Sequence, residues 1–379
     1  MFKSPPRSID DGLLWRIDNS SITLWSMYLV ARTVTDIANG GGAQKYLSWI
    51  FRFCQQILET SPDIQESDLE ARLAGLYDLL PLVSAISGTA SGYALLKRCA
   101  PVFLQSIACH PNLWSNDYAI SISEAILNTR YEIAQFVIQD TVAALVLGTP
   151  PLLCYDSTPI WTAEVPFYYQ IMHGFPVEIL LFLAKANDWR ASQSMGQMPC
   201  NQSEWIGLEE QLDSWDPNID YTDGPDSNIA RFAIQEAWRQ AAKIYLYMVP
   251  VSFNKAHFSP LLSHKLIQGV KGANSADPQV ESAVRQVVRL ESVLKGSNPQ
   301  KLHLLVPCLL AGVAARQEEH RAVLRNRVSD QWPSKINVLV LRGPDFAPIL
   351  DHLWHGVGSQ GNPVTWEDYV QSRSRVLPV

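Results

Sequence analysis

The chain has 379 residues, 47% of them hydrophobic and 18% charged, enough to bury a sizeable core in one large helical domain or two ordinary ones. A formal net charge of −7 argues against a nucleic-acid footprint, because phosphate binding needs clustered Lys and Arg that release counterions. The opening MFKSPPRS carries only Lys3 and Arg7 and leads into no apolar signal run, and no stretch reaches membrane-spanning length, so a soluble intracellular protein is expected.

Residues 1–18 read as an N-terminal extension and 19–379 as a single large multi-helix domain of the all-α class. The first helix is predicted over Ser21 to Ala38, stopped by Gly40, Gly41 and Gly42. A second carries Tyr46, Ile50, Cys54 and Ile57 on one face and stops at Ser61-Pro62, because proline disfavours helix in the residue before it. A third opens with a capping box from Ser67 to Glu70 and should kink near Pro81. Two more follow, roughly Gly92 to Cys109 and Tyr118 to Leu147, the second closing at Gly148 ahead of Pro150 and Pro151. Strand signals are nearly absent, the exception being the short Asn337 to Leu341.

From Ser157 onward the chain falls into distinct blocks. WTAEVPFYYQIMHGFPVEILLFLAKANDW places a helix around Phe167 to His173, a break at Gly174 and a helix from Pro176 with Ile179, Leu180, Leu183 and Ala184 inward. Residues 191–230 hold no Lys or Arg and eight acidic residues, with Trp205, Leu208, Leu212 and Trp215 on one helical side. Such a segment could be an activation-type peptide, but a helix internal to the domain is the stronger reading. IQEAWRQAAKIYLYMVP should be core, and VESAVRQVVRLESVL an amphipathic helix entered past Asp277-Pro278. In NPQKLHLLVPCLLAGVAARQEEHRAVLRNRV, Asn298 caps a helix that buries Leu302, Leu305, Val306, Leu309 and Val313 on one face and kinks about a turn before Pro307. Beyond Ala315 its charged residues should emerge into water. ILDHLWHGVGSQGNPVTWEDYVQ closes the chain with two helices carrying Trp354 and Trp366.

In this order the blocks resemble the fungal-specific transcription factor domain, the helical regulatory region usually found downstream of a binuclear zinc cluster. The blocks cover roughly Trp161 to Val370, with the Gly-x-Pro block at Gly174 and the closing tryptophans at Trp354 and Trp366. The resemblance implies a transcriptional regulator, nuclear with exchange to the cytoplasm, that works through ligand or partner binding rather than catalysis. Its expected partners are proteins of the transcription machinery, an apolar small-molecule effector and a second copy of the chain, with no membrane and no direct DNA contact. No cofactor is expected. Aromatic placement nominates Trp161, Tyr168, Trp238 and Tyr245 for an effector pocket. The six cysteines stand far apart, so the expectation is a family member without the zinc cluster.

Motifs for chemistry are weak. Gly356 to Gly361 satisfies the dinucleotide pattern GxGxxG, but a helix precedes it where the chemistry needs a strand. Asn116-Asp117 with Glu124 approximates the second magnesium motif of class I terpene cyclases, giving the alternative of a helical enzyme. Ile120 stands where that motif needs a hydroxyl, and no aspartate-rich partner motif appears. A ligand-free helical scaffold is the remaining alternative. His352 and His355 lie one turn apart without a third ligand, and His173 beside Gly174 is better read as a turn histidine than a base.

Overall fold

The computed structural model describes residues 17–18, 20–59, 66–128, 130–158, 174–195, 202–217, 224–250, 272–294, 299–330 and 339–379. These residues form an all-α structure, as the sequence predicts, and its contacts divide into two compact units interleaved along the chain. The first gathers residues 1–113, 128–139 and 332–342, and the second gathers 114–127, 140–331 and 343–379. The predicted helix around Phe167 to His173, the cap Asn298, Trp161, Tyr168 and Cys200 lie outside the described residues.

In the first unit α1 spans Ser21–Ala38, the bounds expected from its sequence, and Ser20 caps it by accepting from the Thr23 amide at 3.2 Å. Helix α2 (Leu47–Leu58) buries Ile50, Cys54 and Ile57, and its last carbonyls are held by Arg72, which donates to Ile57 O at 2.8 Å and Glu59 O at 2.9 Å. Both α1 and α2 lie on α3 (Glu66–Ser87), a single helix with Pro81 inside it. It starts at Glu66, so Ser67 is an exposed first-turn residue and not the predicted cap. Helix α4 (Thr89–Ile107) packs back on α3, and Phe103 stacks on Phe136 with ring centroids 4.1 Å apart. Burial pushes the Cys54 thiol up to about 12 and the Cys99 thiol further, which makes both inert small hydrophobes. Leu339 to Leu341, the described end of the short strand candidate, is buried without strand pairing.

The predicted helix from Tyr118 to Leu147 is three elements instead. The Asn116 carboxamide oxygen accepts from the Tyr118 and Ala119 amides at 3.0 and 2.8 Å, turning the chain into β1 (Ile120–Ser121). Ser121 then caps α5 (Ile122–Leu127) by accepting from the Glu124 amide at 3.3 Å. Helix α6 (Tyr131–Leu147) follows, its residues 131–139 counted with the first unit and 140–147 with the second. Strand β1 pairs in parallel with β2 (Tyr155–Asp156), Ile120 opposite Tyr155.

In the second unit α7 spans Val177–Ser194, with the inward residues expected of it buried. Helix α8 (Gln202–Ser214) turns Trp205 and Leu212 onto α9 (Pro225–Met248), the central helix, whose last turns are buried on every side. Trp205 meets Tyr247 edge-on at 5.8 Å, so this part of the acidic stretch is built into the fold. Helix α10 (Pro278–Val293) is capped by Asp277, which accepts from the Gln279 amide at 2.8 Å. Next comes a 3-10 turn over Pro299–Leu304, and only then α11 (Leu305–Ala314). Pro307 therefore sits in the first turn of α11, where its missing N–H leaves no bond unmade, and the break lies before the helix rather than within it. Residues Val306 to Ala314 are buried all round, not on one face as the spacing suggested.

Helix α12 (Glu318–Ser329) carries a second departure from expectation, because Arg321 and Arg327 are buried rather than solvated. Arg321 donates to Ala315 O at 3.0 Å and Gly358 O at 2.7 Å, and lies over the Trp354 ring. Helix α13 (Gly343–His355), a 3-10 turn over Ser359–Gly361 and α14 (Trp366–Val376) complete the unit. A capping box between Thr365 and Asp368 opens α14.

Candidate functional site

The most concentrated chemistry among the described residues is a buried polar seam around the last turns of α6. Those turns belong to the apolar run YEIAQFVIQDTVAALVL, whose one interior charge is Asp140. The Asp140 carboxylate is fully buried and accepts from the Leu152 amide at 2.9 Å, the Leu153 amide at 3.2 Å and the Tyr155 hydroxyl at 2.7 Å. Burial pushes its pKa up to about 6, opposed by the Leu152 amide, the Tyr155 hydroxyl and the Leu153 amide, which all favour the charged form. The loop behind α6 is thereby tied to the helix it leaves.

Helix α7 reads the same turns from another side. Asn187 donates to Thr141 O at 2.9 Å, and Arg190 donates to Ala144 O at 3.0 Å and Thr149 O at 2.5 Å. These residues sit three apart in an otherwise leucine-rich helix, so both face α6. Tyr245 of α9 donates to the Asn187 oxygen at 2.7 Å, and Tyr369 of α14 donates to Val146 O at 2.5 Å. Burial raises the pKa of both phenols, so they are donors at neutral pH. Trp366 joins the two tyrosines, at 4.8 Å from the Tyr245 ring and 5.1 Å from the Tyr369 ring. Two helices, α7 and α14, thus donate to carbonyls in the last turns of α6, where orphan acceptors need partners, and α9 holds Asn187 of the first in place.

Of the residues nominated for an effector pocket, Trp238 and Tyr245 are brought onto one helix and fully buried. Trp238 donates from Nε1 to His303 O at 3.1 Å and packs on Phe175 at 4.4 Å. The predicted break at Gly174 has φ +75°, and a Cβ there would lie 2.3 Å from Cγ of His303, so the turn needs both the left-handed backbone and the missing side chain. Gly174→Ala is expected to destabilise the protein by about 1–2 kcal/mol from backbone alone, with more from displacing the imidazole, read as a lowered thermal midpoint.

The other candidate motifs resolve as structure. Asn116 spends its oxygen on two amides, Ile120 is buried in β1, and among the described residues no group of three His, Cys, Asp or Glu could hold a metal ion. His352 faces Ser372 Oγ at 3.1 Å and His355 is exposed. In the Gly356 to Gly361 loop the Gly358 and Gly361 carbonyls accept from Arg321 and Arg316, and Gln360 takes φ 54°. No helix of the described residues is long and apolar enough to cross a membrane.

The family model of the fungal specific transcription factor domain matches residues 51–377. The chain belongs to that family. Family membership thus begins well upstream of the blocks that carry the resemblance and takes in α3 and α4, while α1 precedes the matched span. The fungal transcription factor domain is a non-catalytic regulatory one, and the polar seam is a built part of it. No curated protein and no solved structure matches the chain. Asp140, Asn187 and Arg190 were not singled out by sequence reasoning, although lone polar residues inside apolar helices were a signal for them.

Proposed function

We propose that this chain is the effector-sensing part of a fungal transcriptional regulator and acts by changing how its helices pack. The family match over residues 51–377 carries this reading. The seam supports it, because α7, α9 and α14 all bond to the last turns of α6 or to one another, so a ligand that repacks one of them must disturb the rest. An apolar effector would sit beside Trp238 and Tyr245, the two described residues among the four nominated for its pocket. Its effect would be limited to its differential affinity for the two packings. Proteins of the transcription machinery would read the outcome, in the nucleus, with exchange to the cytoplasm. The net charge of −7 supports the absence of direct DNA contact by this chain, and a second copy is the remaining partner.

The reading is tested by fusing the chain to a heterologous DNA-binding domain in a yeast reporter strain. Transcription is expected to rise or fall relative to the DNA-binding domain alone, and to respond to Asn187→Ala, which opens the seam without touching the surface. Reporter output indistinguishable from the bare DNA-binding domain would remove the proposal.

A further inference from the structure

Where α11 turns into α12, a cleft of about 230 Å³ opens to solvent against the start of α10, all within the second unit. Glu281, Val284 and Arg285 of α10 line it, with Ala314, Arg316 and His320 from the α11–α12 corner. Arg316 is fixed there. Its Nε donates to Gly361 O at 2.9 Å and its Nη1 to the Glu281 carboxylate at 2.6 Å, which leaves Nη2 without a partner among the described residues. Glu281 is the one carboxylate in that lining, and Arg316 already holds it. Arg285 is exposed and His320 half-buried, and neither makes a side-chain hydrogen bond or ion pair among the described residues.

A further guanidinium stands close by. Arg321 donates to Gly358 O in the same loop that Arg316 holds at Gly361. Burial lowers the Arg321 pKa, with Glu318 opposing and the Arg316 charge reinforcing that effect. Glu318 lies 3.8 Å from Arg321 but is 87% exposed, where an ion pair contributes little.

We infer that this cleft binds an oxyanion head group, a phosphate or a carboxylate, between Arg285, the free edge of Arg316 and His320. Two guanidiniums against one carboxylate leave its lining one positive charge in excess, within a chain whose net charge is −7. A guanidinium offers a planar fork of donors that matches such a head group, and Arg316, already oriented by two bonds, loses little freedom on binding. The imidazole adds a ring N–H donor in either tautomer. Because the cleft is open, it takes the charged end of a ligand and does not enclose a whole molecule. The site is separate from the apolar effector position at Trp238 and Tyr245 and does not rest on it.

Thermal unfolding of the full chain against inorganic phosphate, with ionic strength held constant by sodium chloride, is the test. The midpoint should rise saturably, half-way at about 1 mM, as for a small ligand held by a few charge-assisted bonds. Arg285→Glu changes an exposed residue with no partner to lose, and should weaken binding about tenfold. Glu281→Gln keeps an oxygen for Arg316 but removes the competing charge, and should tighten binding about tenfold. Far-UV circular dichroism should be the same for all three proteins. A midpoint that ignores phosphate, or that rises equally in all three, overturns the inference, since a general salting effect is blind to both substitutions. Sodium acetate separates the two sources: a matching rise assigns the cleft to carboxylates, and a rise with phosphate alone assigns it to phosphates.

Discussion

Trp366→Ala is expected to lower the stability of the second unit by about 3–5 kcal/mol, the range for deleting a fully buried tryptophan. The side chain is 1% exposed and bridges Tyr245 on α9 to Tyr369 on α14, so its loss opens a cavity between the rings that donate to Asn187 and Val146 O. Its own Nε1 is buried without a hydrogen-bond partner. Trp366→Phe therefore removes an unsatisfied donor along with some volume, and should be much milder than the alanine change, about 1 kcal/mol. Urea unfolding followed by far-UV circular dichroism measures both. Equal midpoints for the two variants would mean that ring volume is not what holds α14 to α9.

What was legible in the sequence is what local chemistry decides. Helix α1 runs from Ser21 to Ala38 ahead of its glycines, and α10 starts past Asp277 at Pro278, at the residues expected, because such signals act within one turn of themselves. The tryptophan blocks were legible too, since their order along the chain survives even where each alone is weak. The break at residues 120–130 was not, because its cause is pairing of Ile120 with Tyr155, thirty-five residues on, through a strand only two residues long. Periodicity also misjudged α11, where small residues allow neighbours on all sides and leave no exposed face to detect. Arg321 and Arg327 look like surface charges in sequence, but the partners that make burial of Arg321 tolerable are the Ala315 and Gly358 carbonyls, which no pattern of side chains encodes.

Asp140 gives the other large effect, and one with a pH signature. Asp140→Ala leaves the Leu152 amide, the Leu153 amide and the Tyr155 hydroxyl without their acceptor, and a loss of about 3 kcal/mol follows from stranding even two or three such donors. The carboxyl is raised from 3.8 to about 6 in the folded protein, so the native state holds its proton more tightly than the unfolded chain does. Stability from this group is fully present below pH 3.8 and is lost as pH rises through 6. Wild type minus Asp140→Ala should therefore be larger at pH 5 than at pH 8, by about 1 kcal/mol, and flat above pH 8. Urea midpoints for the two proteins, measured side by side across that range, cancel the titration of every other group. If the difference instead grows with pH, the three donors outweigh desolvation and Asp140 is held as a stabilised anion. In that case the seam would be tightest at neutral pH, and acid, not base, would loosen the end of α6 from the loop that follows it.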